Sequence, residues 1–172
     1  MKAIVIFSLV FFSFSHPCKA YSDSTVSLND FTNLIGCWQG SLTYLDYTSG
    51  KPFSMPANIT VADFKKTGRI IYATSYPKEP NANSVDTILI SENGKRLNNE
   101  PVISKTKLNK DSLQVITEET AVDGNDHKPA LIRHTYTLSR NTYSVKKEVL
   151  FTGEKQWILR NQYTFSRAKP CL

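Results

Sequence analysis

The sequence predicts an all-β protein: an antiparallel, up-and-down barrel of about ten strands behind one short N-terminal helix. Three observations predict it. Past Gly36 no long helical period occurs, and alternating apolar and polar residues are broken about every ten residues by turn chemistry. Within most runs one parity is apolar and the other polar, as in a sheet that buries one face. Aromatic and β-branched residues are spread along the whole length with no internal repeat, which disfavours disorder and repeat arrays.

In chain order, Met1 to Ala20 reads as a secretory signal peptide. Lys2 precedes an apolar run from Ala3 to Phe14, and Cys18 and Ala20 are small residues where a signal peptidase reads. That run is shorter than the ~20 residues needed to span a bilayer, so cleavage after Ala20 is expected. No later segment is apolar enough to span. The expectation is a single exported domain over residues 21–172, periplasmic or secreted, with no membrane span after cleavage and monomeric. At this size a chain buries about 70% of its unfolded surface and needs no metal to hold a core.

Residues 21–26 read as a loose lead-in. Ser27 can then cap a short helix with Leu28, Phe31, Leu34 and Ile35 on one face, ended by Gly36. The strand runs are 37–47, 56–65, 69–76, 84–92, 100–108, 112–121, 130–138, 142–151 and 155–167. Asn93-Gly94 is the strongest hairpin signal, because a type I′ turn needs positive φ at both central residues. An up-and-down barrel requires an even strand count, so a short tenth strand is expected at 95–98, left at Asn98-Asn99. A sandwich with the same strands is the alternative that alternation by itself leaves open.

Parity assigns Trp38, Leu42 and Tyr44 to the dry face of the first run, with Ile59 and Val61 in the second and Ile70, Tyr72 and Tyr76 in the third. Leu113 and Val115 follow, then Ile132, Tyr136 and Leu138, and then Tyr143, Val145, Val149 and Phe151. Trp157, Leu159, Tyr163 and Phe165 complete the set. Signal cleavage leaves two cysteines, Cys37 and Cys171, which an oxidising compartment would pair. With ten strands the last lies beside the first, which brings the two together.

Gly36-Cys37-Trp38 resembles the Gly-x-Trp that opens the first strand of lipocalins and their calycin relatives. In those barrels an Arg near the end of the chain lies across the indole and closes the base. Arg167 shares the inward parity of Phe165 and fits that place, whereas Arg160 has the opposite parity. The resemblance implies a lipocalin-like barrel, with Trp38 and Arg167 in structural roles. It also implies a carrier of a small amphipathic molecule, a minority of such proteins being enzymes or inhibitors.

The formal charge is +6, falling to +4 when Lys2 and Lys19 leave with the signal peptide. So small a charge, scattered over Lys65-Lys66-Arg69, Lys105-Lys107-Lys110 and Lys146-Lys147, fits solvated strand faces and no nucleic acid partner. No nucleophile elbow, phosphate-binding glycine loop or metal-ligand spacing is present. Asp123-Gly124-Asn125-Asp126-His127 lacks the spacing of a calcium loop and reads as a polar turn. No catalytic residue, cofactor or metal is therefore assigned.

Polar residues on the inward parity carry the functional expectation. Tyr44, Tyr72, Thr117, Glu119, His134, Tyr136, Lys147, Asn161 and Tyr163 are the candidate ligand-binding residues, and the same parity turns Asp46 and Thr87 inward. A buried polar group without a partner costs about 1–3 kcal/mol, so these groups must pair with one another or face a cavity. Lys147 with Glu119 or Asp46 is the natural ion pair, and a ligand would lie along Leu42, Val115, Val149 and Leu159. Two alternatives remain: an enzyme of the same fold using Glu119, His134 or Lys147 as acid or base, and an outward-acting interaction or inhibitor module with a filled core. The proline-containing loop 75–83 reads as a lid or an inert connection.

Overall fold

The computed structural model describes residues 24–46, 49–62, 69–124 and 127–171. The signal peptide read at 1–20 lies outside them, as do Lys65-Lys66 and Asn125-Asp126. Ten antiparallel strands form a nearly closed barrel: β1 Gly36–Asp46, β2 Lys51–Val61, β3 Ile70–Ser75, β4 Ser84–Ile88, β5 Arg96–Leu97, β6 Glu100–Asn109, β7 Ser112–Asp123, β8 Lys128–Leu138, β9 Thr142–Phe151 and β10 Ile158–Arg167. Their order in the sheet is β4-β3-β2-β1-β10-β9-β8-β7-β6-β5, so β1 and β10 are neighbours at the seam joining the two ends of the chain. The even count and the first-to-last pairing agree with the expected meander. No helix among the described residues is long and apolar enough to cross a membrane.

The N-terminal helix is a 3-10 segment, Leu28–Leu34, not an α-helix. Ser27 caps it reciprocally with Asp30: the Ser27 backbone N–H and hydroxyl both donate to Asp30 Oδ2, at 2.7 and 3.1 Å. Phe31 and Leu34 are buried and plug one end of the barrel. Val26 is buried, and its N–H donates to the Gly94 carbonyl at 2.9 Å.

At that end Trp38 and Arg167 face each other across the β1–β10 ladder. The Arg167 guanidinium lies 4.2 Å above the indole of Trp38, which is buried. Together they satisfy the carbonyls of Asn33 and Leu34, the last two of the 3-10 segment, and that of its C-cap Ile35. Trp38 Nε1 donates to Leu34 O at 2.8 Å, Arg167 Nη1 donates to Ile35 O at 2.8 Å, and Arg167 Nη2 donates to Asn33 O. Cys37 and Cys171 are joined by a disulfide, with Cα atoms 5.2 Å apart. Two residues beyond the closure, Gly40 lies against Phe165, where a Cβ would stand 1.9 Å from the Thr164 carbonyl oxygen. Only glycine allows the two strands to approach this closely.

The other seam is narrower. Beyond β4 the chain continues into a hairpin in which Asn98 N–H donates to Leu89 O at 2.7 Å and Ser91 N–H donates to Arg96 O at 3.1 Å. This hairpin ties β4 to β5, but β4 itself pairs only with β3. On the far side β6 reaches only as far as Thr117, so residues 118–123 of β7 pair with β8 alone. The wall is therefore broken between β4 and the upper part of β7.

Three expectations need correction here. The Asn93-Gly94 turn is not type I′, because of these two residues only Gly94 has positive φ (69°), and Ser91 O accepts from Gly94 N–H across a longer loop. Asn98 and Asn99 adopt the two successive positive φ values, 51° and 67°, linking β5 to β6. In β10 the register slips between Leu159 and Asn161, a bulge that turns Arg160 inward. Leu159 is consequently 43% exposed and forms no part of the inner wall. In β4 the inward residue is Ile88, which is buried, and Thr87 faces solvent.

Candidate functional site

The barrel encloses a cavity of about 290 Å³. Its apolar wall comes from Leu34, Ile59, Val61, Ile88, Val145 and Phe165. Tyr72, Tyr76, Tyr136, Tyr143 and Tyr163 add a tyrosine ring, and Thr74, Ser84, Asp86, Asn98, His134 and Asn161 complete the lining. Ser84 and Asp86 are exposed on β4, which pairs with β3 alone, so they form the rim.

Strand register explains the assembly. Thr117, His134, Lys147 and Asn161 are directly opposite one another across β7, β8, β9 and β10, which makes one polar row around half the barrel. The next row toward the plugged end is Val115, Tyr136, Val145 and Tyr163, largely apolar in its bulk. On the opposite wall Val61, Tyr72 and Asp86 are aligned across β2, β3 and β4. Tyr76, just past β3, reaches across the cavity, and its hydroxyl lies 2.8 Å from that of Tyr163.

Of the candidate residues, Tyr72, His134, Tyr136, Asn161 and Tyr163 line the cavity. The other four do not. Tyr44 packs against Phe53, ring centroids 5.5 Å apart. Thr117 is fully buried and donates its hydroxyl to Glu100 Oε2. Glu119 is half-buried on the upper part of β7, outside the lining. Lys147 is bonded to Asp123 at 2.8 Å, not to Glu119 or Asp46. Asp46 instead accepts from the Ser49 hydroxyl in the β1–β2 turn, at 2.7 Å.

Two charged clusters stand around the cavity. In the first, Glu100 is buried and accepts from Thr117 and from His134 Nδ1 at 2.8 Å. Burial pushes the Glu100 carboxyl up, but hydrogen bonds from His134 and Thr117, with the charges of His134 and Lys147, bring it below its ordinary value. In the second, Asp123 accepts from Lys147 at 2.8 Å and from Arg160 at 2.7 Å. Its carboxyl is likewise lifted by burial and then held below the ordinary value by those two cations. The Glu100 signal was present in the sequence, since Glu100 shares the parity of buried Val102. Nothing in the alternation signals Arg160, because a bulge has no period.

Burial, with Glu100 nearby, raises the Tyr136 phenol well above its ordinary value, and burial raises Tyr143 similarly. Burial and the bond to Tyr76 raise Tyr163, while burial and the adjacent Asp86 raise Tyr72. Among the described residues the cavity thus offers hydroxyl groups, aromatic rings, one imidazole and one carboxylate, with no Lys or Arg on its lining.

This geometry defines a β-barrel with an internal, polar-ringed cavity, and the ten-stranded arrangement fits a lipocalin- or calycin-like fold. No protein-family model matches the sequence, and no curated protein is significantly similar to it. Among solved structures the fold is similar to that of Rv2717c from M. tuberculosis, at 12% identity and a TM-score of 0.51, covering 83% of this chain and 97% of that one. A protein of unknown function from the DUF3598 family of Nostoc punctiforme is 15% identical with a TM-score of 0.46, covering 84% of this chain and 50% of that one. At 12% identity the likeness to Rv2717c is one of fold alone.

Proposed function

We propose that this chain is an exported binding protein that holds one small amphipathic molecule inside its barrel. The cavity carries the reading. Its volume of about 290 Å³ is equivalent to roughly ten water molecules at about 30 Å³ each, and its division into an apolar wall and a polar ring suits a ligand with one polar end. The polar end lies toward Tyr72, Tyr76, Tyr163, His134 and Asn161, and the apolar remainder against Ile59, Val61, Ile88 and Phe165. Export is supported by the signal-peptide pattern read at residues 1–20 and by the Cys37–Cys171 disulfide.

Native mass spectrometry of the protein purified from its own source tests this reading. A retained small molecule that leaves on denaturation is expected. Val145→Trp, which fills the cavity, should abolish retention while preserving the fold. An empty protein from that source, stabilised by no amphipathic compound of this size, refutes the proposal.

One observation favours an enzymatic second reading. Glu100 holds His134 Nδ1, and His134 lines the cavity, a carboxylate-oriented imidazole beside the space a bound molecule would fill. If that reading holds, His134→Gln abolishes turnover of the bound molecule without abolishing its binding.

A further inference from the structure

Resting on the binding reading, we infer that the ligand is a cationic amine: an ammonium group on a small apolar or aromatic body. The position of charge around the cavity carries the inference. Asp86 is the carboxylate of the lining, and the Ser84 hydroxyl orients it by donating to Oδ2 at 2.7 Å. Across β3 and β4, Asp86 is directly opposite Tyr72. The linked hydroxyls of Tyr76 and Tyr163 complete a tyrosine-walled rim around that carboxylate. Aromatic faces and phenol oxygens attract a cation, and a carboxylate beside them supplies the counter-charge.

Anions meet the opposite situation. The inward cations Lys147 and Arg160 are bonded to Asp123, and neither lines the cavity. His134, the one basic side chain on the lining among the described residues, has buried Glu100 at its Nδ1. A carboxylate ligand would lose its hydration with no Lys or Arg among the described residues of the lining to replace it, and Asp86 would face it. The apolar wall of Ile59, Val61, Ile88 and Phe165 takes the body of the amine.

Three probes of matched shape separate the possibilities: phenethylamine, phenethyl alcohol and phenylacetate, titrated by calorimetry into the disulfide-bonded protein at neutral pH. Phenethylamine should bind about tenfold tighter than the alcohol, and phenylacetate weakest, the range expected of a cation among aromatic rings with a carboxylate partner. Asp86→Asn should remove most of that preference, about fivefold or more, leaving the alcohol's affinity within about twofold. Because Asp86 is at the exposed rim, the variant should melt as the parent does, and a lowered melting point would be checked against Asp86→Glu, which restores the charge. Equal binding of amine and alcohol overturns the inference while leaving the cavity a binding site. So does phenylacetate binding tightest, which would assign the polar end to His134. If none of the three binds, alcohol included, the inference fails together with the binding reading.

Discussion

Removing the guanidinium of Arg167 should unseat the plug of the barrel. In Arg167→Ala the contact 4.2 Å above Trp38 is lost, a loss of about 1 kcal/mol for a cation over an indole. Three backbone carbonyls lose their donor as well: Asn33, Ile35 at 2.8 Å and Arg140 at 2.6 Å. These lie close enough to the surface for water to replace part of each bond, leaving about 0.5–1 kcal/mol apiece. The total is about 3 kcal/mol, and for a chain of this size each kcal/mol shifts the midpoint by about 2–4 °C, so Tm should fall by about 6–12 °C. Arg167→Lys keeps the charge but not the planar fork, and should lose at least half as much. The assay is thermal unfolding with the disulfide intact, in a Trp157→Phe background so that fluorescence reports Trp38 alone. The emission of Trp38 should also move to the red in Arg167→Ala as water reaches the indole. A shift below about 2 °C, or a lysine variant equal to the parent, refutes the closure argument.

Three further outcomes are expected. Gly40→Ala places a methyl group 1.9 Å from the Thr164 carbonyl oxygen, so β1 and β10 must separate; denaturant unfolding should show a loss of at least about 2 kcal/mol. Thiol labelling of the denatured, unreduced protein should find neither Cys37 nor Cys171 free, and replacing both with Ser should cost up to about 5 kcal/mol, the chain-entropy value for closing so long a loop. Glu100 and Asp123 both have folded-state carboxyls below their ordinary values, so their stabilisation is present above pH ~4 and is lost as pH falls through the depressed values. Unfolding free energy should decline on acidification below about pH 4, and Glu100→Gln with Asp123→Asn should flatten that decline.

Strand number, the inward faces of most strands and the meeting of the first and last strands were legible in the sequence, because they depend on local properties. A two-residue alternation marks one face of a strand, turn residues mark its ends, and an even strand count brings Cys37 beside Cys171. The seam needed nothing more than that arithmetic. Asn98-Asn99 was equally visible as a turn, yet its type was decided only when Leu97 paired with Glu100.

The contents of the interior were decided by the tertiary structure. Parity carries Tyr72, Tyr136 and Tyr163 inward, but whether inward residues touch, or leave about 290 Å³ between them, depends on how the strands are tilted and staggered around the barrel. The ion pairs depend on the same variables. Lys147 is directly opposite His134 and Asn161 in the sheet, yet it bonds Asp123, which stands further along β7. Arg160 joins them only because one bulge in β10 reverses its side. Alternation is a rule about neighbours along a strand. Stagger and bulges are set by the closing of ten strands at once, and with them the choice of which charges meet and which wall of the cavity carries Asp86.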